Sequence, residues 1–212
     1  MLYESVLGPS AEGRPLHTTV LLEEVGRAAA AAGGWEEVER IAVGLGPGIF
    51  TGLRVGVATA KGLGLARGLP VSGAGTLDAL GRGLGEAAPG RARVAAIDAR
   101  RGEAYAAAWT ASGERLWAPL VSPPEELVER LAALPEAAIC GGSGAIRFRQ
   151  QLASQGVEIP DDADPVHRVA ARHVCALAAA AAGEGESASV APIYLRPPDA
   201  QRWRERDSPQ DP

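Results

Sequence analysis

Apolar residues recur at helical spacing in the first third of the chain. Over residues 17–32 they share one side of a helix and the charged residues share the other. Gly33 and Gly34 follow and predict the end of this helix. A short apolar run at residues 41–45 predicts a buried strand, and a second long helix is predicted over residues 51–68 with Thr51 as its N-cap.

The rest of the chain alternates short apolar runs with amphipathic stretches, which is typical of an α/β protein. Thr76 and Ser122 are predicted helix caps, and Pro123 and Pro124 follow Ser122 at the positions a helix start tolerates. Strands are predicted at residues 70–72, 93–98, 104–109 and 137–140, and helices at residues 35–40, 76–84, 122–133, 145–156 and 164–183. Gly85, Pro89 and Gly90 mark a boundary, which predicts two units, residues 1–88 and 89–189, with a polar tail at 199–212.

Composition and charge exclude several classes of protein. The chain has 212 residues, of which 46% are hydrophobic, and a net charge of −5, so it is not expected to hold nucleic acid on its own. Cys140 and Cys175 are the only cysteines, which excludes a disulfide scaffold and suits the reducing cytoplasm. No stretch of about 18 residues is apolar throughout, so no contact with a membrane is predicted.

Small residues recur every fourth position along the second long helix. Each glycine inside a helix costs about 1 kcal/mol relative to alanine, so packing must offset the penalty. Two interpretations stay open: the ridge packs on the protein's own sheet, or it is a face for a second protein. The ridge consists of Gly52, Gly56, Ala60, Gly64 and Gly68.

The loop before that helix is a weak candidate for anion binding. Gly46 and Gly48 free its backbone, and Thr51 follows at the helix N-terminus, where N–H groups point outward. Neither the P-loop nor the dinucleotide fingerprint is present, so no nucleotide cofactor of its own is predicted.

Residues 46–63, GPGIFTGLRVGVATAKGL, resemble the signature of the TsaB (YeaZ) family, whose members are related to sugar kinases, Hsp70 and actin. Further matches follow the family's order along the chain: His17 with Leu21 and Leu22, Pro70 with Thr76, DARRGEAY at 98–105, and PIYLR at 192–196. Ile49 departs from the family, which usually has serine there.

The resemblance implies an α/β protein of the actin-like ATPase fold with two lobes. Residues 190–198 would return to the first lobe, residues 1–88, and residues 89–189 would form the second. Family members begin with a hairpin that holds a phosphate loop, and residues 1–7 resemble only the family's third strand. We therefore expect the first lobe to lack its initial strands, through a start assigned too late or a truncated product.

The resemblance also implies a supporting role in tRNA modification. TsaB-like proteins pair with a TsaD-like catalytic subunit and a TsaE-like ATPase, which transfer a threonylcarbamoyl group to the tRNA adenosine beside the anticodon. ATP or ADP and the metal belong to those partners, and this chain is expected to have no catalytic residue or metal of its own. The resemblance implies that the TsaD-like subunit contacts the first two long helices, residues 18–32 and 51–68, and a homodimer through the same helices is also expected. The interface candidates are Leu21, Leu22, Val25, Arg54, Gly56, Val57, Ala60 and Lys61.

A stand-alone enzyme is the alternative, either nucleotide-dependent or a hydrolase such as a peptidase. Ser143 lies between a predicted strand and helix, and Asp164 and His173 follow in the order of α/β hydrolases. Ala145 replaces the last glycine of the nucleophile motif, so a structural turn is favoured. A metal site is disfavoured because Leu21 stands four residues after His17, and His167 and His173 do not share a helix face.

Charged residues at two further places favour a structural or solvent-exposed role over a functional one. Asp98 and Glu103 bracket a hairpin that contains Arg100 and Arg101, which predicts salt-bridged turn residues rather than a catalytic carboxylate pair. Near the C-terminus a basic and aromatic cluster could contact tRNA, but interleaved acidic residues favour a solvated tail. That cluster is Arg196, Arg202, Trp203, Arg204 and Arg206.

Overall fold

A computed structural model describes residues 3–7, 17–181 and 190–196. The described part alternates helices and strands. In chain order they are α1 (His17–Ala31), β1 (Ile41–Gly44), α2 (Phe50–Arg67), β2 (Val71–Ala74), α3 (Thr76–Ala87), β3 (Ala92–Arg100), β4 (Glu103–Trp109), β5 (Arg115–Ser122), α4 (Pro124–Ala132), β6 (Ala138–Gly141), α5 (Ser143–Arg147), α6 (Arg149–Leu152) and α7 (Ala171–Ala181), with 3₁₀ turns at Trp35–Glu37, Ala153–Gln155 and Pro165–His167.

The first sheet consists of β1 and β2, which are parallel and pair Ile41 with Val71 through Gly44 with Ala74. Alternate side chains of a strand point to opposite faces. One face packs against α2, and the other packs against Val174 of α7. The two strands therefore form a thin layer between two helices.

The second sheet has the order β5-β4-β3-β6, with β3 antiparallel to β4 and parallel to β6. Many of its inward positions are alanines, which let helices approach the strands closely. One face is covered by α4, α5 and α6, through the buried side chains of Leu127, Leu131, Phe148 and Leu152.

Helix α3 connects the two sheets. Its Leu77, Leu80 and Leu84 are almost fully buried against Trp109 and its neighbours on the second sheet. On the opposite side of the helix, Ala79 packs in the small cluster of the first sheet. This position follows from the helical spacing of the leucines, which puts them on one face.

The short segment 3–7 forms no strand, contrary to the expectation for residues 1–7. Instead its side chains form hydrogen bonds with two helices, α1 and α7. Tyr3 and Ser5 donate hydrogen bonds to Glu24 of α1, at 2.7 and 2.8 Å. The Glu4 carboxylate accepts from the backbone N–H of Arg172 in α7, at 3.0 Å.

Several predicted details are wrong. The N-caps of α2, α3 and α4 are Ile49, Gly75 and Pro123, rather than Thr51, Thr76 and Ser122. Ser122 Oγ instead donates to Glu126 at 2.8 Å. The helix predicted up to residue 156 is interrupted near Phe148, and the helix predicted from residue 164 begins only at Ala171. Strand β5 was not predicted, because its Pro119 and mixed polarity hide it as a local pattern.

The predicted lobe boundaries stay predictions, and the tail at 199–212 lies outside the described residues. Within the described segments, no helix has the length and apolar character needed to cross a membrane.

Candidate functional site

The small-residue ridge of α2 faces the chain's own sheet. A Cβ added to Gly56 would lie 3.9 Å from Val43 Cγ2, and one added to Gly64 would overlap the Val71 side chain. Val57 and Ala60 are buried, at 5% and 6% exposure. Val57 and Ala60 are therefore covered by the chain itself and Gly56 is half-buried, which favours the intramolecular interpretation of the ridge, and a partner interface that includes these three residues stays a prediction.

A neighbouring side of α2 is exposed. Arg54, Ala58, Lys61 and Leu65 follow one another at spacings of four, three and four residues, which places them on one stripe. All four are exposed, and the Leu65 side chain is 89% accessible. We call these residues the α2 stripe. A single exposed leucine is common on protein surfaces, so the α2 stripe is a candidate contact surface only in combination with its exposed neighbours.

Helix α1 packs beside α2. Its Leu22 is 61% exposed, whereas Leu21 and Val25 are half-buried. Of the eight predicted interface residues, Leu22, Arg54 and Lys61 therefore have the accessibility that a partner contact requires. The interface itself stays a prediction.

The loop between β1 and α2 is held by hydrogen bonds. The N–H of Gly46 donates to Thr76 Oγ1 at 3.0 Å, and the Thr76 N–H donates to the Gly46 carbonyl at 2.7 Å. Gly46 has a φ of 108°, and an added Cβ would lie 2.8 Å from the Ile193 carbonyl, so a glycine is required. Because the Gly46 N–H is already used, an anion would depend on Gly48 and Thr51, for which binding stays a prediction.

The C-terminal segment 190–196 meets the start of α2. Ile193 N–H donates to the Leu45 carbonyl at 2.7 Å. The rings of Phe50 and Tyr194 have centroids 5.2 Å apart, and the Arg54 guanidinium lies 3.9 Å from the Phe50 centroid. Arg54 Nε also donates to the Tyr194 hydroxyl at 3.1 Å. These contacts fix the first turn of α2 to a segment about 140 residues later in the chain.

The β3–β4 hairpin carries the predicted ion pairs. Asp98 Oδ2 lies 3.0 Å from Arg147 Nη1 and 3.6 Å from Arg100 Nη1. Glu103 pairs with Arg196, whose Nη1 donates to the Ala99 carbonyl at 3.1 Å. The salt-bridged interpretation of Asp98 and Glu103 is confirmed. Arg147 was missed, because it lies 49 residues from Asp98 in the sequence.

The residues of the hydrolase alternative have separate partners. Ser143 Oγ accepts from the Asp98 N–H at 3.1 Å, and Asp164 Oδ1 accepts from the Val166 N–H at 2.9 Å. His173 lies 3.6 Å from a Glu86 oxygen, in contact with α3. The structure therefore does not bring Ser143, Asp164 and His173 together as a nucleophile, an acid and a base.

The remaining titratable candidates are structural. Burial raises the pKa of the Cys140 thiol to about 12, and burial also raises the pKa of Cys175, so both stay protonated at neutral pH. Cys140 is buried, whereas Cys175 is exposed and only partly desolvated. Among the described residues, no group of three or more His, Cys, Asp or Glu is arranged to hold a metal.

His167 is a buried residue whose position beside the β6–α5 turn was not predicted from the sequence. Its Nδ1 accepts the N–H of Gly142, and its Nε2 lies 3.0 Å from the Pro160 carbonyl. Gly142 has a φ of 112°, in the turn that connects β6 to α5. Gly141 and Gly142 were the sequence feature that could have indicated this contact, because they mark a tight turn whose backbone N–H needs a hydrogen-bond acceptor.

Comparisons with known proteins cover most of the chain. Residues 12–161 match the family model described as TsaD, tRNA N6-adenosine threonylcarbamoyltransferase. The tRNA threonylcarbamoyladenosine biosynthesis protein TsaB of Escherichia coli is 31% identical over 167 residues, which cover 76% of this chain and 71% of the relative. The Haemophilus influenzae protein of the same name is 40% identical over 90 residues, which cover 42% of this chain and 38% of that one.

Solved structures agree with these sequence matches. A structure of YeaZ from Pseudomonas aeruginosa superposes with a TM-score of 0.69 at 26% sequence identity. The match covers 85% of this chain and 86% of that one. The similarity therefore extends over both sheets and the helices that cover them.

Proposed function

The chain belongs to the TsaB (YeaZ) family and has its actin-like ATPase fold, and from this premise we propose that it is a non-catalytic subunit of the machinery that makes threonylcarbamoyladenosine in tRNA. The observation that carries the proposal is the 31% identity that extends over 71% of the Escherichia coli TsaB protein. The chain acts with a TsaD-like catalytic subunit in the cytoplasm.

The arrangement of side chains supports a role without chemistry of its own. Ser143, Asp164 and His173 each have a structural partner instead of one another. The N–H of Gly46, in the loop most suited to an anion, is bonded to Thr76. In this proposal the partner subunits, which include a TsaE-like ATPase, bind ATP or ADP and the metal.

The partner docks on helices α1 and α2 through their exposed sides. Leu65 of the α2 stripe and Leu22 of α1 supply apolar contact area, and Ala58 lets another helix approach closely. Burying one leucine side chain contributes about 1.5–3 kcal/mol. Arg54 and Lys61 lie on the same stripe as Leu65 and favour acidic residues on the partner.

The experiment is co-expression with a TsaD-like subunit. Leu65→Glu and Leu22→Glu place a carboxylate where the partner would bury a leucine, so we expect co-purification to be lost. Val169→Glu is the control, because Val169 is also an exposed apolar residue but belongs to neither α1 nor α2. Unchanged co-purification of both leucine variants would contradict the docking surface. Variants at Gly56 or Val57 are unsuitable, since those residues pack inside the chain.

Two further measurements separate the alternatives. The reconstituted complex is expected to form threonylcarbamoyladenosine in a tRNA transcript, whereas this chain alone is expected to turn over no ester, peptide or nucleotide. Self-association of the isolated chain through the same helices would appear as a dimer in sedimentation, and Leu65→Glu would convert it to a monomer. Turnover by the isolated chain would overturn the non-catalytic assignment.

A further inference from the structure

Arg93, near the start of β3, has a guanidinium group that lies under helix α3 without a partner. Among the described residues, its Nε is the one buried side-chain nitrogen or oxygen atom that makes no hydrogen bond. Buried polar groups in proteins are almost always hydrogen-bonded, and a buried charge without a counter-charge is costly. The burial of Arg93 therefore calls for a partner that these residues do not supply.

Arg93 is one of three side chains in a row across the second sheet. It stands opposite Trp109 of β4, and Trp109 stands opposite Arg115 of β5. Residues directly opposite each other point to the same face of a sheet. Helix α3 covers this face, because an added Cβ at Gly81 would lie 2.5 Å from the Trp109 ring and one at Gly85 would overlap Arg93 Nη1.

The two arginines of this row differ in what α3 offers them. Arg115 pairs with the Asp78 carboxylate, and its guanidinium lies 4.9 Å from the Trp109 ring centroid. Gly85 follows Asp78 by two helical turns, so both lie on the side of α3 that faces the row. Because a glycine stands there, Arg93 lacks the carboxylate that Arg115 has.

A second glycine closes the site from the other side. Gly113, in the turn between β4 and β5, has a φ of 96°, and an added Cβ would lie 2.7 Å from Arg93 Nη2. The acidic residues next to the two glycines are Glu86 and Glu114, and neither pairs with Arg93. Glu86 pairs with Arg82 instead, at 3.3 Å. The guanidinium is thus held in place without being neutralised.

The outer edge of this guanidinium is open to a ligand. Arg93 is half-buried as a whole, but its Nη1 and Nη2 are accessible, and no described residue bonds to them. A guanidinium presents two parallel N–H donors, which match the two oxygens of a carboxylate. One uncompensated positive charge is best matched by an anion with one negative charge, which favours a carboxylate over a phosphate dianion.

We propose that Arg93, held between Gly85 and Gly113, is the anchor of a carboxylate-binding site. A carboxylate from outside the chain forms at Arg93 the pair that Asp78 forms at Arg115. The same chemistry is available from a small carboxylate and from an acidic side chain of a protein. The site goes beyond the proposed function, since it lies on the second sheet rather than on α1 and α2.

The test is an NMR titration of the full chain with sodium acetate. Isotope labelling of arginine Nε gives a signal for each guanidinium, and the Arg93 signal is identified by its absence from Arg93→Lys. We expect acetate to shift this signal with saturation in the millimolar range, whereas sodium chloride at the same ionic strength should not. Arg168 is the internal control, because it is exposed and has no acidic partner in the part of the chain that the structure describes. Its response to acetate should not saturate.

Thermal unfolding gives a second readout. A ligand that binds the folded chain raises the unfolding temperature, so acetate should raise that of the wild type, relative to chloride, but not that of Arg93→Met. Gly85→Ala places a Cβ where Nη1 lies and should weaken acetate binding, whereas Gly62→Ala, whose Cβ meets nothing, should not. Equal responses of Arg93 and Arg168, an acetate effect that persists in Arg93→Met, or saturation by inorganic phosphate but not by acetate would each overturn the proposal.

The complex with the TsaD-like subunit separates the two sources of the carboxylate. If complex formation shifts the Arg93 signal without acetate and prevents acetate from binding, a protein side chain supplies the carboxylate. If acetate binds the complex as it binds this chain alone, the ligand is a free carboxylate. The titration of the chain alone needs no partner, so failure to form the complex would count against the proposed function and leave the test of Arg93 intact.

Discussion

The imidazole of His167 accepts a hydrogen bond at Nδ1 from the backbone N–H of Gly142, over 3.0 Å. Its other nitrogen faces the Pro160 carbonyl at 3.0 Å, so the neutral ring with its proton on Nε2 satisfies both neighbours. The residue is 7% exposed. His167 therefore fixes the turn between β6 and α5, whose Ser143 in turn holds the hairpin.

Replacing His167 with alanine is expected to destabilise the chain by about 2–4 kcal/mol. The variant leaves the Gly142 N–H buried without an acceptor and opens a cavity at the turn. His167→Asn keeps a carbonyl oxygen near the position of Nδ1, so it should lose less. Urea unfolding of the three proteins gives the measurement, and equal losses in the two variants would show that the hydrogen bond to Gly142 contributes nothing.

Two glycines of α2 are expected to respond in opposite directions to alanine. An added Cβ at Gly62 meets nothing within 4 Å, so Gly62→Ala should stabilise the chain by about 0.5–1 kcal/mol through helix propensity. The same change at Gly64 overlaps the Val71 side chain, so it should destabilise by about 1–3 kcal/mol. Thermal unfolding of the pair tests which side of α2 packs on the sheet, and a stabilised Gly64→Ala would contradict this packing.

The sequence predicted elements whose signals are local. The amphipathic pattern of α1, the leucine spacing of α3 and the hairpin of β3 and β4 each depend on neighbouring residues, and all three are confirmed. Strand β5 was missed because its place depends on pairing with β4. The N-caps were misplaced by one or two residues, since Thr and Ser next to a helix start do not reveal whether their oxygen reaches an N–H.

The packing of helix α2 likewise depends on residues that are distant in the sequence. The spacing of Gly56, Ala60 and Gly64 predicted a smooth side of α2, but it carries no information on whether that side meets the chain's own sheet or a partner. The answer required Val43 and Val71, which lie on different strands. The predicted RNA cluster is only partly described, because residues 202–206 lie outside the described residues.

Replacing Arg100 with glycine is expected to raise the free energy of unfolding of the chain. Relief of the left-handed backbone at Arg100 should contribute up to about 1 kcal/mol, and the exposed pair with Asp98 costs little to lose. Arg82→Gly is the matched control: Arg82 is exposed inside α3, where glycine should cost about 1 kcal/mol. A destabilised Arg100→Gly in urea unfolding would contradict this prediction and show that the Arg100 side chain stabilises the folded chain.

The buried His173 is expected to make stability depend on pH. The residue is 3% exposed, and desolvation lowers the pKa of its imidazole below the ordinary value of 6.5, while Glu86 at 3.6 Å opposes this shift. Glu4, Arg82 and Arg172 are the other charged groups that act on it. Because the unfolded chain binds the proton more tightly, the contribution to stability is complete above about pH 6.5 and is lost as the pH falls below that value.

Two variants test the sign of this dependence. His173→Phe keeps a ring beside Gly83 but cannot titrate. The unfolding free energy of the wild type should therefore fall relative to that of the variant between pH 7.5 and 5.5, and the difference should stay constant above pH 7.5. Glu86→Gln removes the group that raises the pKa of His173, so it should lower that pKa further, which a titration of the ring protons by NMR measures directly. A wild-type unfolding free energy that rises relative to His173→Phe as the pH falls would reverse the assignment, because it would require the protonated ring to be the stable form in the folded chain.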